Sequence, residues 1–313
     1  MHYREPEFLP WEGRRVPITF VGGYLGAGKT TAINELLAYA DRPIAVIVND
    51  VGTINIDASL IRKRHGDTIE LTNGCICCSS IDEVGAAFDQ LRLRPEPPDH
   101  VVVELSGIAE PQRMLPWGHS AGFRLDGVVV VVAADQLIDD AMPAWIRHHI
   151  TAQIAIADLL ILTKTDLVTH AEATEVRRRL AEQAPGTPVF AGGRERVGPG
   201  AVGRFLALGG SHAGRYGEAT DVVPMPSLFD GHTATTIQFP TDIEVTELHT
   251  WLSALSHRPG AVLVRAKGVC ATTDVGPVLV QVVGRRIEVT ALTMAEMQPA
   301  TGLVVITIEA TNG

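Results

Sequence analysis

The stretch Gly23-Tyr24-Leu25-Gly26-Ala27-Gly28-Lys29-Thr30 lies between an apolar, β-branched run and a helical pattern, and this junction limits the fold more than any other feature. Its spacing, G-x-x-x-x-G-K-[ST] after a strand and before a helix, is that of a loop whose backbone amides close on phosphate oxygens. Glycines let the backbone approach, and the start of the helix adds its positive end. Lys29 is placed to pair the β- and γ-phosphates, and the Thr30 hydroxyl is placed for Mg²⁺. Gly23, Gly26, Ala27, Gly28, Lys29, Thr30 and Thr31 are the nucleotide-binding candidates, and Lys29 is also a catalytic one. The alternative is a glycine-rich turn that happens to precede a lysine. The chain has 26 basic residues, of which only Lys29, Lys63, Lys164 and Lys267 are lysines, so the position of each is informative.

Around this loop the first two-thirds of the sequence alternates short apolar runs with helical periodicity. Residues 16–22, 44–49, 100–105, 128–133, 159–163 and 188–191 read as buried strands, with helices over 29–40, 81–94, 145–157 and 171–184. Such alternation predicts an α/β fold: a P-loop NTPase with a mainly parallel sheet flanked by helices. Gly, Ser and Pro dominate 208–232, which reads as a linker. Beyond it, strands over 234–239, 261–269, 277–283, 286–290 and 303–308 and a helix over 244–256 make a smaller C-terminal α+β domain. The expected organisation is an N-terminal extension 1–15, a nucleotide domain 16–207, the linker 208–232 and a second domain 233–313.

A phosphate loop of this kind works with an acid near Mg²⁺ at the end of a neighbouring strand. Glu104, the first polar residue after His100-Val-Val-Val, is the leading candidate and the second catalytic one. Asp50 follows its own strand in the same manner. The competing reading of either is a solvated strand-end carboxylate. Gly107 could turn its amide toward the γ-phosphate and sense hydrolysis. Base choice is read at Thr163-Lys164-Thr165-Asp166, where the Asp166 carboxylate can accept from the ring N–H and exocyclic amine of guanine together, a donor pair that adenine lacks. Lys164 would lie along the base and Thr163 would tie this loop to the phosphate loop. An ordinary strand-to-helix turn with Asp166 as a cap is the alternative.

Three of the four cysteines crowd into Cys75-Ile76-Cys77-Cys78. Thiolates at this spacing can converge on one soft or borderline cation, with Zn²⁺ the default and Co²⁺, Fe²⁺, Ni²⁺ or Cu(I) open. A redox pair or small-residue packing are the alternatives. Cys270, alone, reads as core. His148 and His149 point about 100° apart on a helix and so cannot serve one small site equally. His212 and His232 fall in the linker, and nothing in their spacing makes them ligands.

The charge of −10 disfavours a nucleic-acid or polybasic membrane surface. No apolar run approaches the roughly 20 residues needed to cross a bilayer, and the N-terminal residues lack a signal-peptide apolar region, so a cytoplasmic location is expected.

The segments VGGYLGAGKTT, VNDVGTINID, LTNGCICCSS, VELSGIAEP, QIAIADLLILTKTDLV and VLVRAKGV with VLVQVVG occur in the order found in the CobW-like metallochaperone GTPases, relatives of the accessory GTPases of urease and hydrogenase maturation, and the chain resembles that family over essentially its whole length. The resemblance implies a P-loop GTPase domain, a CobW-type C-terminal domain, a metal at Cys75, Cys77 and Cys78, and its delivery to a client metalloprotein. Asp50 stands where the family usually has Glu, Thr163 where it usually has Asn, and Leu105-Ser106 where Thr-Thr is more usual. The histidine-rich stretch that many relatives carry is reduced to His212 and His232. On this reading GTP and Mg²⁺ order the segments at Asp50 and Glu104, and the cysteine loop between them responds. Hydrolysis would be slow until a client or homodimerisation accelerates it. A small-molecule kinase and a non-enzymatic GTP- and zinc-binding sensor or scaffold are the rival classes.

Overall fold

The computed structural model describes residues 10–40, 42–48, 68–70, 81–140, 142–191, 205, 208, 232–238, 243–256, 261–283, 286–292 and 302–309. They fall into two compact units, one holding the described residues up to 208 and the other those from 232 onward.

The first unit is built on strands β1 (Val16–Gly22), β2 (Ile44–Val48), β3 (Thr68–Glu70), β4 (His100–Glu104), β5 (Phe123–Ala133), β6 (Leu159–Thr163) and β7 (Val189–Ala191), in the order β3-β2-β4-β1-β5-β6-β7. Every neighbouring pair is parallel. A parallel sheet covered on both faces buries both sides of its inner strands, which is why those strands read as largely apolar runs, whereas the edge strand β7, expected to be buried, exposes Val189 and Ala191 because no further strand covers it. Ile18, Phe20, Val101 to Val103, Val128 to Val132 and Leu160 to Leu162 are all buried, each such side chain contributing about 1.5–3 kcal/mol of transfer free energy. The helices are α1 (Lys29–Tyr39), α2 (Ile81–Arg92), the short α3 (Ala134–Leu137), α4 (Ala144–Ala155) and α5 (His170–Gln183). α1 buries Ala32, Ile33, Leu36 and Leu37, one face at helical spacing, and ends where Ala40 turns extended.

Several elements depart from the sequence reading: α3 has no counterpart there, and β8 begins at His232, inside the expected linker, and runs only to Ile237. The fifth strand begins at Phe123, five residues before the expected 128, and Pro111–His119, given no element from sequence, forms a 3-10 segment. The strand's early part looks like a loop in sequence because of Arg124, Asp126 and Gly127. Asp126 falls where the β1–β5 register shifts, and its buried carboxylate accepts from the backbone N–H of Leu208. It also lies 3.5 Å from Thr19 Oγ1, whose other partner is His100 Nε2 at 2.8 Å.

Burial pulls the His100 imidazole down to about 4, with Arg124 and Arg42 pushing the same way and Asp126 opposing. The unfolded chain takes up this proton near pH 6.5 and the native one only near 4, so stability is full above the first value and falls as pH drops through that window. A loss on the order of 3 kcal/mol is expected across it. Thermal unfolding at about pH 7.5 and about pH 5 checks this, and His100→Gln is expected to flatten the dependence.

Arg92 closes α2 from inside. Its guanidinium is buried, donates to Ala121 O (2.8 Å), Ser120 Oγ (2.9 Å) and Asp89 Oδ1 (2.8 Å), and lies 5.2 Å from the Phe123 ring centroid. The helix that the cysteine segment leads into is thereby clamped to the Ser120–Ala121 turn before β5.

The second unit is a five-stranded antiparallel sheet, β8 (His232–Ile237), β9 (Ala261–Thr272), β10 (Gly276–Val283), β11 (Arg286–Ala291) and β12 (Gly302–Glu309), in the order β11-β10-β9-β12-β8. Helix α6 (Val245–Ser256) gives Leu248 and Leu252 to a core with Leu263, Ala266, Val278, Val280, Val282, Leu303 and Val305. Cys270 belongs to this core, and burial raises its thiol to about 11, so it stays a protonated apolar side chain at neutral pH. No helix among the described residues is long and apolar enough to cross a membrane.

Candidate nucleotide site

β1 is where the sheet reverses: the chain leaves it toward β2 on one side, and crosses from β4 to β5 on the other. Open α/β sheets bind ligands at the carboxyl ends of strands at such a point. The phosphate loop occupies it. Gly23, Gly26 and Gly28 have φ of 131°, 74° and 99°, and a Cβ on Gly23 would stand 2.2 Å from Val131 O, so neither the torsion nor the space admits a side chain there. Gly28 opens α1 in the left-handed region with no side chain capping the first turn, so the amides of that turn face the loop's concavity.

Lys29, 6% exposed, turns back over the loop, its Nζ donating to Gly23 O (2.9 Å) and lying 3.5 Å from Tyr24 O. Thr30 Oγ1 donates to Glu104 Oε1 at 2.9 Å. Glu104 is buried at the end of β4, level with Val21 of β1 and Val48 of β2. A hydroxyl and a carboxylate converging at the mouth of the loop are an oxygen pair suited to a hard divalent cation, and they fit Mg²⁺. Thr31 follows, half-buried. Gly107 lies against the loop itself: a Cβ there would stand 2.5 Å from Leu25 N and 2.8 Å from Leu25 Cα.

The segment Thr163–Asp166, expected from the sequence to select the base, reaches the same loop. Thr163 Oγ1, at the end of β6, donates to Ala27 O at 2.7 Å. Lys164 follows with φ 55° and Asp166 is exposed in the short 3-10 turn Thr165–Leu167. Lys29, Thr30, Glu104, Gly107 and Thr163 are therefore gathered around one loop, with Lys164 and Asp166 directly after Thr163. Asp50, Cys75, Cys77, Cys78 and His212 lie outside the described residues, and among the described residues there is no cluster of three or more His, Cys, Asp or Glu able to hold a metal. His232 opens β8; His148 is exposed, whereas His149 is buried.

Three site neighbours have no motif to announce them. Gln136 donates from Nε2 to Leu25 O (2.8 Å), Asp135 Oδ2 stands 3.7 Å from Lys164 Nζ, and Arg179 donates to Leu137 O (2.7 Å). Together they tie α3 to the phosphate loop, to Lys164 and to α5. An acidic and an amide residue within four positions of a strand's end would have been the available signal.

A glycine-rich loop at the switch point of a parallel sheet, with a lysine, a threonine and a strand-end glutamate converging on it, defines a P-loop nucleotide-binding protein. The chain belongs to the CobW/HypB/UreG family: the model of that family's nucleotide-binding domain matches residues 17–191, and that of the cobalamin synthesis protein CobW C-terminal domain matches 233–312. It is 32% identical over 206 residues to a zinc chaperone CobW from Sinorhizobium sp, a match spanning 56% of this chain and 58% of the relative. With the zinc chaperone YjiA of Escherichia coli it shares 34% over 185 residues, 56% of this chain and 57% of the other. The match thus spans under two-thirds of either relative. A crystal structure of zinc-bound YjiA GTPase from E. coli aligns at a TM-score of 0.45 with 19% identity, over 95% of this chain and 96% of that one.

Proposed function

We propose that this chain is a GTPase that binds GTP with Mg²⁺ at the phosphate loop and couples nucleotide state to the carriage of one thiophilic divalent metal, zinc foremost, to a client metalloprotein. The observation that carries the nucleotide half is the Thr30–Glu104 pair beside Lys29, 2.9 Å apart at the mouth of the loop. The metal half is supported by the spacing of Cys75, Cys77 and Cys78 and by the zinc-chaperone names of the relatives. Co²⁺, Fe²⁺ or Ni²⁺ suit the same thiolates.

Thr30 and Glu104, with Asp50 as a second acid, would hold the Mg²⁺, whose charge offsets that of the β- and γ-phosphates. Lys29 bears on the phosphates, the α1 amides orient them, and Gly107 sits where the γ-phosphate decides how closely Ser106–Ala109 approaches the loop. Asp166 selects guanine. The route from nucleotide to metal is the cysteine segment itself, which lies in sequence between Asp50 and Glu104, while Arg92 anchors the helix that follows it to the Ser120–Ala121 turn. Three thiolates leave one tetrahedral position for a client ligand, which suits transfer better than storage. Client docking or pairing of two copies would accelerate turnover.

Competition titration against a chromophoric chelator, with Mg²⁺ and either GDP or a non-hydrolysable GTP analogue, tests the whole reading. One metal per chain is expected, with different affinities in the two states and no binding once Cys75, Cys77 and Cys78 are all serine. GTP should bind at least about tenfold tighter than ATP, because an unpaired carboxylate at the base costs roughly 1.4 kcal/mol or more. Equal affinity for GTP and ATP would overturn the base assignment; equal metal affinity in the two states would overturn the coupling.

A further inference from the structure

Helix α4 turns a stripe made of Ile146, His149, Ile150, Gln153 and Ile154 into the core, at the i, i+3, i+4, i+7, i+8 spacing of an apolar face. Two of its five positions are polar. His149 and Gln153 are each 2% exposed, and burying an imidazole and an amide where aliphatic side chains would pack is unfavourable unless their hydrogen bonds do something specific.

Those bonds go to one place. Gln153 Nε2 donates to Ala109 O at 2.9 Å and lies 2.8 Å from His149 Nε2, which in turn stands 3.3 Å from Gly107 O. Both carbonyls belong to the Ser106–Ala109 segment that follows Glu104, and Gly107 is the residue jammed against Leu25 of the phosphate loop. On its other side the His149 ring meets Tyr24 of that loop edge to face, 6.1 Å between centroids. One histidine thus touches both pieces whose separation the γ-phosphate would set.

The bonding is also frustrated. Ala109 O can only accept, so Gln153 Nε2 must donate there. Donating to His149 Nε2 as well requires that nitrogen to be unprotonated, and it then has no proton to give Gly107 O. A proton on Nε2 reverses the choice: His149 holds Gly107, and the bond from Gln153 is lost. Ser106 Oγ and Gln153 Oε1, both buried, add two polar atoms without a hydrogen-bond partner among the described residues. The two arrangements of the Nε2 proton thus differ in whether α4 grips Gly107 or only Ala109.

We propose that His149 and Gln153 are positioning residues that set how firmly Ser106–Ala109 lies on the phosphate loop, and so set the protein's preference between GTP and GDP. The inference rests on the nucleotide reading given above. It assigns discrimination between nucleotide states to a buried polar pair on a helix that carries no nucleotide motif.

The test uses the full chain with Gln153→Met, which keeps length and removes both amide atoms, and His149→Phe, which keeps the ring against Tyr24 and removes the nitrogens. Affinities for GDP and a non-hydrolysable GTP analogue, kcat and KM for GTP, and the melting temperature are measured for each. The expected result is GDP affinity within about twofold of wild type, an analogue-to-GDP preference reduced about fivefold or more, and kcat lowered with little change in KM. His149→Gln, which restores a donor and an acceptor, should recover part of the preference, and it carries the test where His149→Phe does not fold. Equal weakening of both nucleotides in step with lost stability would make the pair merely structural and overturn the proposal, as would an unchanged preference. Absence of guanine-nucleotide binding by the wild-type chain would overturn the nucleotide reading itself, and this inference with it.

Discussion

Lys29→Ala is expected to lower steady-state GTP turnover to about 1% of wild type or less, the scale at which removing a preorganised charged donor from a site of developing charge acts. The ammonium is held in place before any phosphate arrives: Gly23 O at 2.9 Å and Tyr24 O at 3.5 Å orient it, and its 6% exposure keeps it largely desolvated. Such a donor needs little reorganisation as charge moves onto the phosphate oxygens. The variant also leaves the Gly23 carbonyl without this donor, so a stability loss of about 1–2 kcal/mol should accompany it, too little to unfold the domain. Affinity for a GTP analogue should fall more than affinity for GDP. Lys29→Arg is expected to rescue poorly, because a planar guanidinium does not reproduce a compact ammonium between two carbonyls. Multiple-turnover phosphate release together with calorimetric binding checks these outcomes, and wild-type release by Lys29→Ala would remove the phosphate assignment from this loop.

What the sequence reveals about the site is the part that is local. The phosphate loop is legible because its chemistry, its glycines and its flanking periodicities all fall within 16–40, and Thr163-Lys164-Thr165-Asp166 because a polar tetrad closes an apolar strand. The inner strands of the parallel sheet are legible because burial on both faces leaves few polar residues in them. The missed features depend on partners far away in the chain. Nothing near Gln136 or Arg92 shows that one will hold Leu25 O and the other the Ser120–Phe123 turn. Gln153 sits in QIAIADLL, where the surrounding apolar residues give the helix away and hide the amide's purpose. Asp126 misleads for a related reason: a charge in FRLDG reads as a break, yet the register shift in β5 gives it a buried place near Thr19 and His100. The 3-10 segment Pro111–His119 contains Pro116 and has neither the 3.6 nor the 2.0 period that a sequence reading looks for.

Gly107→Ala should have a comparably large effect with a different signature, since it adds one methyl group and removes no charge. Gly107 does not have a positive φ, so backbone conformation alone would tolerate alanine. Space would not: the new Cβ would lie 2.5 Å from Leu25 N, 2.7 Å from Leu25 Cδ2 and 2.8 Å from Leu25 Cα. The side-chain methyl can swing away, but the backbone atoms cannot move without carrying the phosphate loop, whose Leu25 carbonyl is already fastened by Gln136 at 2.8 Å. Either Ser106–Ala109 lifts off the loop or the loop distorts, by something close to 1 Å in both cases, and a displacement of that size costs about 100-fold in turnover. The sheet lies outside the collision, so cooperative unfolding should persist with a melting temperature lowered by only a few degrees, about what 1–2 kcal/mol removes from a domain this size. Ser106→Ala is the internal control: its Cβ already exists, and its buried hydroxyl has no partner among the described residues, so turnover should stay within about threefold of wild type with stability unchanged or slightly higher. If instead Gly107→Ala released phosphate at the wild-type rate, Ser106–Ala109 would have to stand clear of the loop throughout the cycle. The close approach at Leu25 would then have no part in sensing the γ-phosphate.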